Sequence, residues 1–284
     1  MFLDFDGNVI DYFNGLDDLK NRFIRFVGDP AERVREDYLR IFRYFRFYVR
    51  YGCLTKHDEN TIEAIRSNRD GLHQISGERI WSETKRILKL RRCDSVMHLM
   101  MNDLRIGQFM GMPSDTVDLT EFGKVHNAVF NETPDPAFEP VTALTALIKD
   151  DDELGECARR LKFSAAERLI ALYIIANRED ADKISLSSIQ KQLALSSRTE
   201  QGATKKYIAE FLRYINRYDL LREISSWTIP VFPVRGDILS ERLQGRTGKE
   251  LGLVMNSLKA AWADNHFNLD EESFKRIIDQ ALQQ

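Results

Sequence analysis

The chain has 284 residues, 41 of them Lys or Arg and 44 Asp or Glu, with a net charge of -3 and 43% hydrophobic side chains. That balance suits a globular protein long enough to bury one large or two to three small cores. It excludes a helical membrane span, since no run of about 20 apolar residues exists, and it means that any nucleic-acid binding must rest on a local basic patch.

Cys53, Cys93 and Cys157 are isolated and odd in number, which argues against a disulfide framework or zinc ribbon and for a reducing compartment. The first residues, Met1-Phe-Leu-Asp-Phe-Asp-Gly7, carry no basic region and no cleavage site, so no targeting peptide is expected in this chain. Asp6-Gly7 between Phe2-Leu3 and Val9-Ile10 predicts a β-hairpin. A lone hairpin is marginal in water, so its strands are expected to show an unpaired edge. Asp11 to Leu19 reads as a turn-rich connector. Asp29 then offers an N-cap and Pro30 a first helical position.

Arg33 to Arg50 reads as a helix, either unbroken to Tyr51 or restarting near Glu36, with Asp37 and Arg40 on one face. Arg40, Arg43, Arg46 and Arg50 wind round it by roughly 60° per step of three. Like charges so spaced repel by a few tenths of a kcal/mol each, so an anion, either carboxylate or phosphate, is expected alongside.

From there the pattern is almost wholly helical. Helices are expected near 58–68, 77–90 (capped by Ser76), 94–105 and 119–130. Pro134 to Pro140 marks a loop and candidate boundary. Further helices are expected near 141–149, 152–161, 165–177 (with a Ser164-x-x-Glu167 capping box), 186–194, 200–217, 248–263 and 270–282.

The candidates for chemistry are few. Asp4-Phe-Asp6 has the spacing of paired metal carboxylates but runs into a turn, which explains it better. Gly245-Arg-Thr-Gly248-Lys-Glu250 is too short for a phosphate loop and reads as a helix start. Trp81 and Trp262 sit at core spacing, and the three cysteines read as buried small hydrophobes. Asp37 and Arg40 are harder to set aside. As an i,i+3 pair they could be a surface salt bridge. They could equally present an acceptor beside a donor, which matches the amino group and ring nitrogen of cytosine and adenine and mismatches uracil and guanine twice. Arg43 and Arg46 would then meet a triphosphate.

At these residues the chain resembles the class II tRNA nucleotidyltransferase and poly(A) polymerase family, nearest the animal mitochondrial type of CCA-adding enzyme. Asp11-x3-Gly15-x2-Asp18-Leu19 with Arg25 is similar to the family's hinge motif. Glu36-Asp37-x2-Arg40 is similar to the amino-acid template that selects CTP and then ATP. Ser76-Gly-Glu78-Arg79-Ile-Trp-x-Glu83 is similar to the motif that supports the template, and Trp227 to Pro233 and Gly248 to Gly252 extend the likeness through the chain. Tyr38 stands where bacterial relatives usually have proline, which puts a clean helix restart in question.

The resemblance implies a mainly α, elongated multi-helical neck, body and tail with a residual N-terminal hairpin. Its parts would be 1–27, remnant of a head sheet and hinge; 28–92, neck; 93–178, body; and 179–284, tail. It implies a nucleotidyltransferase that adds CCA to tRNA 3′ ends. Nucleotide contacts would come from Asp37, Arg40, Arg43 and Arg46, the hinge from Asp11, Gly15, Asp18 and Arg25, and template support from Glu36, Glu78, Arg79 and Glu83. Arg235, Arg242, Arg246 and Lys249 are candidate tRNA contacts. Partners would be tRNA, CTP and ATP, with no membrane, and the compartment the mitochondrion, or the cytoplasm and nucleus. The family's glycine-rich loop, catalytic Asp-x-Asp strand and Arg-Arg-Asp motif have no counterpart here. Magnesium, a cofactor of the full-length family enzyme, is therefore expected to find no metal site in this chain, which alone is expected to be inactive. Two alternatives stand beside this reading: a non-catalytic RNA-binding module or short isoform on the same scaffold, and a poly(A) polymerase of the same superfamily.

Overall fold

The computed structural model describes residues 1–53, 56–112, 117–130, 138–244 and 247–282. They fall into two compact units, Met1–Glu179 with Arg213–Asn216, and Asp180–Leu212 with Arg217–Gln284.

The first unit opens on the expected hairpin, β1 (Phe2–Leu3) and β2 (Val9–Ile10), paired antiparallel with Phe2 opposite Ile10. Asp4 builds its turn. The Asp4 carboxylate accepts the Asp6 and Asn8 backbone N–H groups at 3.0 and 2.7 Å and the Asn8 amide at 2.9 Å, so it serves turn geometry, as expected. Among the described residues no third strand joins the pair. Phe2, Leu3, Phe5 and Val9 are exposed, an apolar surface that two short strands cannot bury by themselves. The connector that follows is more ordered than expected, because it contains a helix, α1 (Gly15–Lys20).

Helix α2 (Pro30–Glu36) starts where expected, with the Asp29 carboxylate accepting the Glu32 N–H at 2.8 Å. Of the two readings open for Arg33 to Arg50, the restart is the one observed, and the segment is two helices. Asp37 is extended, at φ -156° and ψ 103°, and α3 (Arg40–Tyr51) begins after a turn in which the Arg40 N–H bonds the Asp37 carbonyl at 2.9 Å. Two contacts fix the break. The Asp37 side chain accepts the Leu39 N–H at 3.1 Å, a local bond that competes with continued helix. The Tyr38 ring lies over Gly71, so close that a Cβ there would fall 2.0 Å from the ring. The clean restart is thus made without proline.

Helix α3 buries Ile41, Phe42, Tyr44, Phe45, Tyr48 and Val49. Helix α4 (Glu59–Asn68), capped by Asp58, packs on α2 and leads through a 3₁₀ segment, Arg69–Gln74, to α5 (Gly77–Leu88). Ser76 occupies the N-cap position of α5 without a side-chain bond. Ile80, Trp81, Thr84, Ile87 and Leu88 give α5 a broad buried face, which packs on α3.

Helix α6 (Asp94–His98) runs into a π-helical segment, Leu99–Asp103, and a 3₁₀ turn, Ile106–Met110. Helices α7 (Thr120–Phe130), α8 (Pro140–Thr145), α9 (Asp151–Leu161) and α10 (Ala165–Asn177) complete this core, with α8 and α9 both against α5. Residues 134–137 of the expected boundary loop lie outside the described residues, and Pro140 opens α8. Cys93 and Cys157 are buried as expected, and burial pushes the Cys157 thiol up to about 12. Cys53 is exposed, a correction that follows from its place just past the end of α3. Cys93 also meets a partner that its sequence neighbours do not reveal, His126 Nε2 at 3.2 Å. Burial raises the Cys93 thiol and lowers the His126 imidazole, so both sit neutral in the core.

Glu167 ties α10 to α5. One oxygen closes the capping box on Ser164, and the other accepts Trp81 Nε1 at 2.9 Å and Lys85 Nζ at 3.2 Å. Burial raises its carboxyl; bonds from Ser164, Trp81 and Lys85 outweigh that and hold it below the ordinary glutamate range. A carboxyl lowered in the folded state stabilises the protein above the unfolded glutamate value and loses that contribution as pH falls through the folded one. Glu167→Ala should therefore cost about 2 kcal/mol at neutral pH, from the lost cap and the orphaned indole N–H. Its difference from the parent should shrink below about pH 4, read by urea unfolding across a pH series.

The second unit holds α11 (Leu186–Leu195), most of α12 (Gln201–Tyr214), α13 (Tyr218–Ser226), α14 (Gly236–Arg242), α15 (Gly248–Asp264) and α16 (Glu271–Leu282). The helix expected over 200–217 ends at Tyr214 and turns at Asn216, leaving α13 as a helix that apolar spacing alone had not separated. Trp262 is buried beside Ala194, with Trp227 and Phe267 packed against it. Leu239, Leu243, Val254, Leu258 and Ile278 form a second cluster. Gly248 begins α15, the helix start expected there.

Candidate nucleotide-reading site

The turn between α2 and α3 places Asp37 and Arg40 next to one another, yet they do not pair side chain to side chain. This corrects the expectation of a shared helix face, because Asp37 is extended and lies ahead of α3, which begins at Arg40. Each is held from behind by another residue. Arg79, from the first turn of α5, places Nη2 at 3.1 and 3.3 Å from the two Asp37 oxygens. Glu36 accepts from Arg40 Nη1, which also donates to the Arg33 carbonyl at 2.8 Å, and Glu36 takes a second bond from Arg33 at 2.6 Å. The bond from Arg40 leads the causes that lower the Glu36 carboxyl.

What remains unused is a directional pair. Arg40 has spent only Nη1 among the described residues, so its other guanidinium N–H groups are available. Asp37 Oδ2 accepts only from Arg79 and retains lone-pair capacity. Both side chains are about one quarter exposed, open to a ligand yet partly shielded from water.

The rest of the stripe divides. Arg43 is exposed and makes no ion pair or hydrogen bond through its guanidinium among the described residues. Arg46 turns inward, its Nε 3.4 Å from Glu83, which also accepts from Arg86 at 3.0 Å. Glu83 thus meets the expected template helix, α3, at Arg46, and makes no contact with Asp37 among the described residues. Its Oε2 is buried without a hydrogen bond, so the Arg46 charge is what offsets it. Glu78 makes no such contact among the described residues, and of the four support candidates Glu36 and Arg79 touch the turn directly.

The hinge candidates assemble around α1. Asp11 accepts the Gly15 and Leu16 N–H groups at 2.9 and 2.8 Å, bonds that lower its carboxyl, and Gly15 leaves room for Met1, whose Cγ would lie 3.1 Å from an added Cβ. Asp18 and Arg25 pair at 2.9 Å. In the second unit Arg235 is engaged by Asp237 at 2.6 Å, while Arg242 and Lys249 are exposed and unpaired among the described residues; Arg246 lies outside them.

Sequence spacing passed over two features near the site. His57 stacks on Tyr48 at 3.7 Å and bonds the Tyr44 hydroxyl at 3.0 Å, with no local signal to announce it. Phe47 and Tyr51 stack at 6.2 Å on the exposed side of α3, a pairing that their i,i+4 spacing could have suggested.

Comparison with known proteins defines first the class of fold. Residues 56–103 match the family described as "Probable RNA and SrmB- binding site of polymerase A". The structure is similar to the Bacillus stearothermophilus CCA-adding enzyme solved with CTP, with a TM-score of 0.66 and 19% identity over 98% of this chain and 70% of that one. It is also similar to the Thermotoga maritima CCA-adding enzyme solved with tRNA, with a TM-score of 0.61 and 18% identity over 95% of this chain and 67% of that one. The mainly α fold with its small N-terminal hairpin is thus the one those enzymes share over this length.

Sequence then narrows the relationship. The human CCA tRNA nucleotidyltransferase 1, mitochondrial, is 39% identical over 98% of this chain and 63% of its own length, and its zebrafish counterpart (Danio rerio) is 34% identical over 99% and 64%. The chain is similar along nearly its whole length to these relatives, and spans slightly less than two thirds of theirs.

Proposed function

We propose that this chain is the nucleotide-selecting and tRNA-binding portion of a CCA tRNA nucleotidyltransferase. The observation that carries the reading is the Asp37–Arg40 turn, closed by the Arg40 N–H on the Asp37 carbonyl, where an acceptor and a donor are each braced by a partner of opposite charge. Cytosine gives its amino proton to Asp37 and takes a bond from Arg40 at its ring nitrogen, and adenine does the same; uracil and guanine reverse both positions. Arg79 and Glu36 fix the two side chains before the base arrives, which lowers the ordering cost of binding. Arg43, free at the surface, faces the nucleotide phosphates, and Arg46 stiffens the helix behind it through Glu83.

In this reading residues 28–92 form the neck, 93–178 the body and 179–284 the tail, with Asp11, Gly15, Asp18 and Arg25 as the joint to a head. Arg242 and Lys249 are the tail's unpaired cations for tRNA phosphates. The named animal relatives make the mitochondrion the expected compartment, with the cytoplasm and nucleus further places where tRNA ends are finished.

The family's transfer chemistry calls for magnesium. Among the described residues no three carboxylate, histidine or cysteine ligands converge, and the Asp4 carboxylate is occupied by its own turn. The described residues do not fit a two-metal site. In this reading the chain selects and holds, and transfer falls to carboxylates outside the described residues. Purified chain given magnesium, labelled CTP and tRNA lacking its CCA end should bind the tRNA and incorporate no CMP; incorporation would overturn this division of labour. The match to a polymerase A segment gives a second reading. Joined to a catalytic head, the chain would on that reading extend RNA with homopolymeric A, and on the first with a three-nucleotide end.

A further inference from the structure

The outer face of α3 carries a feature that the base-reading turn does not use. Arg43, Phe47 and Tyr51 follow at i, i+4 and i+8, with Arg50 beside them, on the face opposite the buried one, while Arg46 at its edge reaches inward to Glu83. Phe47 and Tyr51 are 39% and 41% exposed in a helix whose other large apolar residues are buried. Their rings stack at 6.2 Å with 21° between planes, Arg46 lies 4.9 Å from the Phe47 centroid, and Arg50 lies 5.2 Å from that of Tyr51. Among the described residues Arg43 and Arg50 have no carboxylate partner.

From this geometry we infer that the stripe is a stacking site for an unpaired nucleotide of a bound RNA strand. Aromatic rings offer any base a π-face, and the unpaired Arg50 guanidinium beside them meets a flanking phosphate, Arg43 being left to the incoming nucleotide. A protein partner fits less well. The strip has two rings, three arginines and no aliphatic side chain, too narrow for the apolar centre of a protein interface. Helix α3 also packs on α5, inside the segment that matches the RNA-binding family. The inference is separate from base selection at Asp37 and Arg40, since it concerns the RNA strand and not the incoming nucleotide.

The test uses the full chain and a short, unstructured, fluorescein-labelled oligoribonucleotide at low salt, read by fluorescence anisotropy. The double variant Phe47→Leu, Tyr51→Leu should bind it about tenfold more weakly than the parent, while Phe47→Tyr and Tyr51→Phe, which keep a ring, bind as the parent does. An abasic oligomer of equal charge should bind the parent and the double-leucine variant alike. Should the double variant melt early, Arg50→Glu reads the same strip through an exposed charge and should weaken binding of the oligoribonucleotide. Equal binding by the folded double variant, an equal fall with the abasic oligomer, or no binding by the parent would overturn the assignment. Preference of the strip for an acidic peptide over RNA would do so as well, in favour of a protein partner. Selectivity between CTP and UTP, measured in parallel on Asp37→Ala, tests the other site and leaves this outcome untouched.

Discussion

Gly77→Ala should destabilise the first unit by at least about 3 kcal/mol, the upper end for forcing a methyl group into a packed site. Gly77 is the first residue of α5 and is buried. A Cβ built on it would fall 1.6 Å from the Arg160 carbonyl oxygen, 2.7 Å from the carbonyl carbon and 3.1 Å from Leu161 Cα. All three atoms are backbone at the end of α9, so no side-chain rotation can relieve the clash. Arg160 strengthens the junction from the other direction, its guanidinium donating to the Leu72 and Ile75 carbonyls at 3.2 and 3.0 Å. The contact places the α5 start, and with it Arg79 beneath Asp37. Thermal unfolding should show a fall of about 10 °C, taking about 2–4 °C per kcal/mol at this size. Gly155→Ala is the control. Gly155 lies inside α9 with nothing within 4 Å of an added Cβ, so alanine there should hold or raise stability by up to about 1 kcal/mol. Equal melting of the two variants would contradict the close approach of α5 and α9.

Asp37→Ala should collapse the preference for CTP over UTP by tenfold or more, since a bidentate contact discriminates bases by about 1–3 kcal/mol. The same change should scarcely move the melting temperature. The Asp37–Arg79 pair is solvent-accessible on both sides, with Arg79 half exposed, and pairs of that kind contribute about 0–1 kcal/mol. Loss of selectivity without loss of stability separates a reading carboxylate from a merely structural one. Isothermal titration of CTP and UTP into parent and variant measures the first, and calorimetric melting the second. Arg79→Ala is the informative companion. It leaves the Asp37 carboxylate in place but unbraced, so the preference should weaken and not vanish. An unchanged CTP-to-UTP ratio in Asp37→Ala would leave that residue only its bonds to Arg79 and to the Leu39 N–H.

Much of this architecture is local chemistry and could be read from the chain. Asp29-Pro30, Ser164-x-x-Glu167 and Asp6-Gly7 act within a few residues of themselves, so the caps and the hairpin turn fall where spacing puts them. Apolar periodicity located α3, α5, α10 and α15 for the same reason. What escaped was settled by partners distant in sequence. The Arg33-to-Arg50 pattern left open whether the helix runs on or restarts, and the choice rests on Tyr38 finding Gly71 beside the local bond from the Leu39 N–H to Asp37. Asp37 and Arg40 were legible as a pair by type and spacing, but not which residues hold them, because a guanidinium at i+3 and one from α5 are equally good donors for a carboxylate. The same applies to Glu83, which reads as template support and whose partner, Arg46 on α3, is not given by its spacing. Helix α13 was missed because a left-handed residue, Asn216, interrupts an apolar rhythm that carries on either side of it.

The Glu167 carboxylate has a consequence for how this protein can vary. One side chain closes the start of α10 and receives both an indole and an ammonium from α5. Positions 81, 85, 164 and 167 therefore form a single unit of inheritance. A drift at 167 to an apolar residue would strand the indole N–H in the core unless 81 became phenylalanine in the same lineage, whereas glutamine at 167 could keep a bond to both Trp81 and Ser164. Across related sequences these four positions are expected to change together or stay fixed together, and the joint between α5 and α10 to evolve in steps rather than by gradual substitution.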